Sequence, residues 1–296
     1  MFKDFNELKN KIKAGQRTLV VAAAHDKHAI EAVINASNEF ATSYLLVGNR
    51  EQIVSLASDL GFAIKDSAII DGTDDADCAR IAVDLIRRGN GDALMKGILD
   101  TGTLLRAVLD KESGIRGSGT LSHFAFVETP AYHKLVGITD GGMIPNPTLN
   151  QKADIIRNAA AFLKGLGYEC PKAAALCASE FVSPKIRETV DAAMLQEMCE
   201  KGGLGDCLLE GPLSFDIAIC KESASIKGFS SEVSGDTDIL LVPDITVGNV
   251  LVKGLIYWAG AKMAGCILGA KVPVVLTSRN ASAEEKLLSI LLSTAV

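Results

Sequence analysis

The sequence predicts an α/β protein of two lobes, each a three-layer α/β/α sandwich. Short aliphatic and β-branched runs, such as residues 18–24 and 238–244, recur with room for a helix between them. That is the pattern of parallel strands buried on both faces and joined by right-handed crossovers. A glycine and proline cluster at residues 141–147 interrupts the alternation near mid-chain, and 296 residues is a length at which one core gives way to two.

An amphipathic helix ending near Gly15 leads into the strand at 18–24, a helix after Asp26, a strand ending at Gly48 and a helix over 50–60. The strand at 68–72, a long helix to Arg88 and the strand at 93–97 complete this set. Residues 122–128 and 134–142 read as strands joined by a short turn containing Pro130, too short for a crossover helix, so they should pair antiparallel. A second set opens at Thr148, where Thr148 and Gln151 form a capping box after Pro147. It continues with a strand at 173–179, a helix opened by Ser183-Pro184, strands at 207–211 and 238–244, a helix at Gly248-Asn249, and strands at 265–269 and 272–278. These readings place the first lobe at 1–140 with 278–296 and the second at 141–277.

Composition excludes several classes. A net charge of -6 and a pI near 5.3 argue against a nucleic-acid partner, which needs a basic face. No run of 18 apolar residues and no signal-like N-terminus is found, so a cytoplasmic protein that does not enter membranes is expected. Seven cysteines without a CxxC motif fit reduced thiols better than zinc or disulfides. No histidine or acid spacing suggests a metal site, and neither a P-loop nor a dinucleotide GxGxxG is present.

Three strand-to-helix junctions could hold anions. Pro243-Asp244 closes a strand before Gly248 and Asn249, offering free backbone N–H groups at a helix start; the plainer reading is a helix cap. Thr277-Ser278-Arg279 places a hydroxyl and a guanidinium at a strand end, and Glu285 follows Ser282 by three, as either a capping box or a base. Lys96, Thr101, Thr103 and Arg106 gather at a third helix start, as an anion pocket or as capped helix with solvated charges.

Seven ordered stretches, LMKG with TLLRAVL, LSHFAFVETP, TDGGMIPNPTLNQKADIIRNA, SPKIRETVDAAML, GPLSFDIAI, GDTDILLVPDITVGN and GAKVPVVLTSR, resemble the phosphate acetyl/butyryltransferase family, the butyryl branch above all. The resemblance implies an isocitrate/isopropylmalate dehydrogenase-like fold with an active-site cleft between the lobes. It also implies acyl transfer between coenzyme A and phosphate without metal, resident cofactor or covalent intermediate, and a homodimer or larger assembly. Ser278, Arg279 and Glu285 would be catalytic, with Lys96, Thr101, Thr103, Arg106, Ser122, Asp244, Gly248 and Asn249 binding substrate. The acetyl branch carries an Asp as base shortly after its Ser-Arg pair; here the residue seven past Ser278 is Glu285, with Glu284 beside it, and an Arg linked to coenzyme A corresponds to Tyr257. Alternatives are a phosphate acetyltransferase, a non-catalytic acyl-CoA-binding protein, and a metal-dependent dehydrogenase, for which no acidic cluster is seen.

Overall fold

A computed structural model of the chain describes residues 1–11, 17–277 and 281–296. In chain order the elements are α1 Phe5–Lys11, β1 Thr18–Ala22, α2 Lys27–Phe40, β2 Ser43–Gly48, α3 Arg50–Asp59, β3 Ile69–Asp71, α4 Asp75–Arg87, β4 Ala93–Lys96, α5 Thr101–Leu109, β5 Ser122–Glu128 and β6 Val136–Thr139. They continue with α6 Leu149–Gly165, β7 Lys172–Leu176, α7 Arg187–Glu200, β8 Leu208–Leu213, α8 Phe215–Ile219, α9 Lys221–Ile226, β9 Ile239–Leu241, α10 Ile245–Ala259, β10 Lys262–Leu268, β11 Val274–Val275 and α11 Ala283–Ser293. Among the described residues no helix is long and apolar enough to cross a membrane.

Two compact units result: Lys9–Ser118 with Ala264–Val296, and Met1–Leu8 with Gly119–Met263. In the first the strand order is β3-β2-β1-β4-β11-β10. Strands β1 to β4 and β11 pair in parallel, and β10 runs antiparallel to β11. Leu19 and Val21 of β1, Leu46 of β2, Ile30 and Val33 of α2 and Ile53 of α3 share one core. Helices cover the sheet, which is why its strands are apolar throughout and not alternating.

The second unit orders its strands β5-β6-β9-β7-β8, with β5 and β6 antiparallel as expected and the rest parallel. The lobe boundaries expected at 140/141 and 277/278 are corrected by strand pairing. β6 pairs with β9, which carries residues 119–140 into the second unit, and Val274 and Val275 pair with Leu94 and Met95, which returns 264–277 to the first. The Thr148–Gln151 capping box closes in both directions. The helix expected from Ser183 begins instead at Arg187, because residues 183–186 form a turn in which Ile186 N–H donates to Ser183 O at 2.9 Å.

At the amino ends of β7 and β9, Lys134 is 3% exposed and contacts Asp236 at 2.9 Å and Asp238 at 2.6 Å, while Lys172 reaches Asp236 at 2.6 Å. Burial alone would raise the Asp236 carboxyl, but hydrogen bonds from Lys172, Lys134 and His133 hold it below the usual carboxylate range. A carboxylate lowered by folding contributes stability above its unfolded pKa, and that contribution is lost as the pH falls through the folded value. Lys134→Met leaves the buried Asp238 uncompensated and should cost about 3 kcal/mol in urea unfolding at neutral pH, a penalty that shrinks as the acids protonate.

Candidate active site

In the first unit the carboxyl ends of β1, β4 and β11 lie side by side, where ligands bind in parallel sheets. Gly97, just past β4, donates to Ala22 O at 2.8 Å, and a Cβ there would sit 2.1 Å from Ala23 O, so only glycine lets the two strand ends meet this closely. Lys96 folds over this loop, donating to the carbonyls of Gly97 and Leu99 at 3.0 Å each.

Helix α5 begins with Asp100 as its N-cap, accepting from the backbone N–H of Thr103 at 3.1 Å and from the Thr103 hydroxyl. Arg106 donates in turn to Thr103 Oγ1 at 2.8 Å. The Thr103 hydroxyl, the N–H groups of Thr103 and Gly102 and the Arg106 charge hold the Asp100 carboxyl below its ordinary range. Of the two readings left open for this helix start, the described contacts match the capped helix: the α5 N-terminus carries its own carboxylate, and Thr103 is engaged by it. Thr101 and Arg106 remain exposed, and Arg106 lines a depression with Asp74 and Asp75 of the α4 start.

Beyond β11 the chain runs to α11, whose N-cap Ser282 accepts from Glu285 N–H at 3.0 Å. Ser278 and Arg279 lie outside the described residues. β11 and β4 run parallel with Val275 level with Met95, so the chain leaving β11 sets out beside Lys96 and Gly97. Glu285 is half-buried; burial pushes its carboxyl up against the opposing charge of Lys286, whereas Glu284 is exposed. A carboxylate raised in this way is a stronger base once ionised.

In the second unit the helix expected to start at Gly248-Asn249 starts at Ile245, three residues before Gly248. Asp244 is its N-cap and accepts from Thr246 and Val247 N–H at 2.8 and 3.0 Å. Gly248 has a packing role, since its Cβ would lie 2.6 Å from Gly141 Cα and 2.9 Å from Val242 Cγ2. Asn249 is exposed on the helix surface. Gly248→Ala should cost about 1–3 kcal/mol through overpacking, read as a lower melting temperature, and should weaken activity by moving residues 140–142.

Asp140, which sequence reading passed over, organises this edge. It is 2% exposed and its carboxylate accepts from the backbone N–H groups of Gly142, Met143 and Ile144 at 2.8, 2.9 and 3.1 Å. The signal was present as an Asp directly before two glycines at a strand end, the composition of an Asx turn. His123 packs against Gly142; burial lowers its pKa, the Asp140 charge opposes this, and its Nδ1 is buried without a hydrogen-bond partner. Ser122 is fully buried, and its hydroxyl accepts from Asn158 at 3.0 Å, so it anchors β5 to α6 and does not present itself to a ligand. Among the described residues no three His, Cys, Asp or Glu side chains group as metal ligands do.

Likeness to known proteins gives the class. The family described as "Phosphate acetyl/butaryl transferase" matches residues 75–294. The phosphate butyryltransferase of Clostridium acetobutylicum is 40% identical over 100% of this chain and 99% of its own length. The phosphate acetyltransferase of Thermotoga maritima is 40% identical over 94% of each chain. Among solved structures, a branched-chain phosphotransacylase from Enterococcus faecalis V583 superposes with a TM-score of 0.82 at 33% identity, covering 95% of this chain and 98% of the other. A 4-hydroxythreonine-4-phosphate dehydrogenase from Salmonella typhimurium, at 14% identity and a TM-score of 0.61 over 95% and 99% of the two chains, shares the fold. The chain belongs to the phosphate acetyl/butyryltransferase family and is a phosphate acyltransferase.

Proposed function

We propose that the chain moves a short acyl group, butyryl in the first place, between coenzyme A and inorganic phosphate: butyryl-CoA plus phosphate gives butyryl phosphate plus CoA. The observation that carries this reading is full-length similarity joined to the placement of the raised Glu285 carboxyl on the helix that directly follows residues 277–279. In the direction of CoA acylation, Glu285 takes the proton of the CoA thiol, which at a pKa of about 8.5 is only slightly ionised at neutral pH. The thiolate attacks the acyl carbonyl, Ser278 donates to the oxyanion, and collapse expels phosphate held by Arg279. No covalent enzyme intermediate, metal or resident cofactor takes part.

A DTNB assay of CoA release from acetyl-, propionyl- and butyryl-CoA tests the assignment. Release should require phosphate and be fastest with butyryl-CoA. Fastest release from acetyl-CoA would instead favour a phosphate acetyltransferase, the reading supported by equal identity to the Thermotoga enzyme. Tight CoA binding without turnover would mark a non-catalytic acyl-CoA-binding protein.

The fold shared with the hydroxythreonine-phosphate dehydrogenase supports the dehydrogenase-like architecture. The absence of a long apolar helix among the described residues fits a cytoplasmic enzyme using the CoA pool there. We also assign a homodimer or larger assembly. Helix α10 buries only Gly248 and Val252 while Val250, Tyr257 and Trp258 are 65, 75 and 94% exposed, an apolar face suited to a second copy. Light scattering should give at least a dimer mass, and Trp258→Glu should shift it towards the monomer; a monomeric parent protein would contradict the assembly.

A further inference from the structure

We propose that Cys199 and Cys207 are an oxidisable dithiol that closes to an intramolecular disulfide when the protein meets a hydroperoxide. Cys199 sits in the last turn of α7 and Cys207 immediately precedes β8. Their sulfurs lie 3.9 Å apart, and Cys199 Sγ is also 3.2 Å from the Cys207 carbonyl oxygen, so the two thiols already touch. Cys199 is half-buried and can be reached by a small oxidant; Cys207 is buried beside it. The connection between them carries Gly202 and Gly205 at φ of +75° and +85°, and the first of these turns back onto the helix through its N–H to Cys199 O at 2.8 Å. Glycines in that conformation let a short connection fold so that helix end and strand start face each other.

The chemistry balances as a two-electron oxidation. The Cys199 sulfur attacks one peroxide oxygen, the O–O bond breaks, and the distal oxygen leaves as water or alcohol, giving a sulfenic acid on Cys199. The Cys207 sulfur then attacks the Cys199 sulfur; the S–S bond forms, the S–O bond breaks, and hydroxide leaves as water with the Cys207 proton. Burial and the neighbouring Cys199 push the Cys207 thiol up to about 12, which keeps it protonated and leaves Cys199 as the group that meets oxidant first. Cys170 contributes to the field at Cys207 but is exposed and has no sulfur contact with the pair.

The pair lies at the amino end of β8, whereas Asp140 and Asp244 of the same unit follow the carboxyl ends of β6 and β9, which run parallel to β7 and β8. Closing it should therefore protect the thiols and staple α7 to β8 without stopping turnover.

The test is intact full-length protein treated with hydrogen peroxide at a slight molar excess, blocked with N-ethylmaleimide, and mapped by peptide mass spectrometry. Expected is a Cys199–Cys207 peptide two hydrogens lighter than the reduced pair, removed by dithiothreitol, with five of the seven thiols still blocked as free. Cys170→Ser should leave the bridge intact. Cys207→Ser should abolish it and leave Cys199 to oxidise further to the sulfinic acid. The rate of acyl transfer should stay within about twofold after bridging. A Cys170–Cys207 bridge, sulfinic acid on Cys199 in the parent protein, or seven unmodified thiols would overturn the proposal.

Discussion

Glu285→Gln lowers kcat by about 10²–10⁴-fold while the Michaelis constants for CoA and acyl phosphate move little, as expected for a general base that acts mainly in the transition state. The substitution keeps the size and removes the charge. It also keeps the helix start, because the contact with Ser282 comes from the Glu285 backbone N–H and not from its carboxyl. A loss of rate without a loss of melting temperature therefore isolates the charge. Because burial raises this carboxyl above the ordinary glutamate value, the acid limb of kcat/KM in the parent enzyme should have its midpoint above the ordinary glutamate range, and the limb should vanish in the Gln variant. The sign follows from the role: below the midpoint Glu285 is protonated and cannot take the thiol proton, above it the base is available. Near parental rate with an unchanged melting temperature would remove Glu285 from the mechanism and direct attention to Glu284.

Ser278→Ala should lower kcat by about 10²–10³-fold, the usual effect of removing one oxyanion donor. In the role proposed for it the hydroxyl acts where charge develops, so substrate affinity should change by less than the rate. Arg279→Ala behaves differently, raising the Michaelis constant for phosphate or acyl phosphate along with its effect on rate. A phosphate clamp already acts on the bound ground state. Equal effects of both substitutions on rate alone would remove the division of labour assigned to them.

Much of the fold was legible because buried parallel strands advertise themselves. β1 is Thr-Leu-Val-Val-Ala and four of its five residues are buried, which is the run its composition announces. The antiparallel β5–β6 pair was legible for a related reason, since a turn around Pro130 leaves no length for a crossover. Lobe boundaries were not legible, because they depend on which distant strands pair. Nothing local says that Val274 and Val275 lie beside Leu94 and Met95. The start of α10 was misplaced because Gly248 looks like a loop residue, whereas it is a helical residue packed against Gly141, and Asp244 four residues earlier is the cap. At the α5 start the residue types left two readings open, an anion pocket and a capped helix, because sequence does not show which group Asp100 pairs with; in the structure Asp100 caps the helix. Asp140 escaped notice because three backbone N–H groups define its role, and backbone groups leave no trace in residue types.

Counting both products of one reaction tests the transfer itself most directly. With butyryl-CoA and phosphate, free CoA is measured by its thiol and butyryl phosphate by conversion to its hydroxamate in the same samples. One acyl phosphate should form for each CoA released, with no release when phosphate is omitted. CoA released at the same rate without phosphate, with butyrate in place of butyryl phosphate, would show a thioesterase and contradict acyl transfer to phosphate.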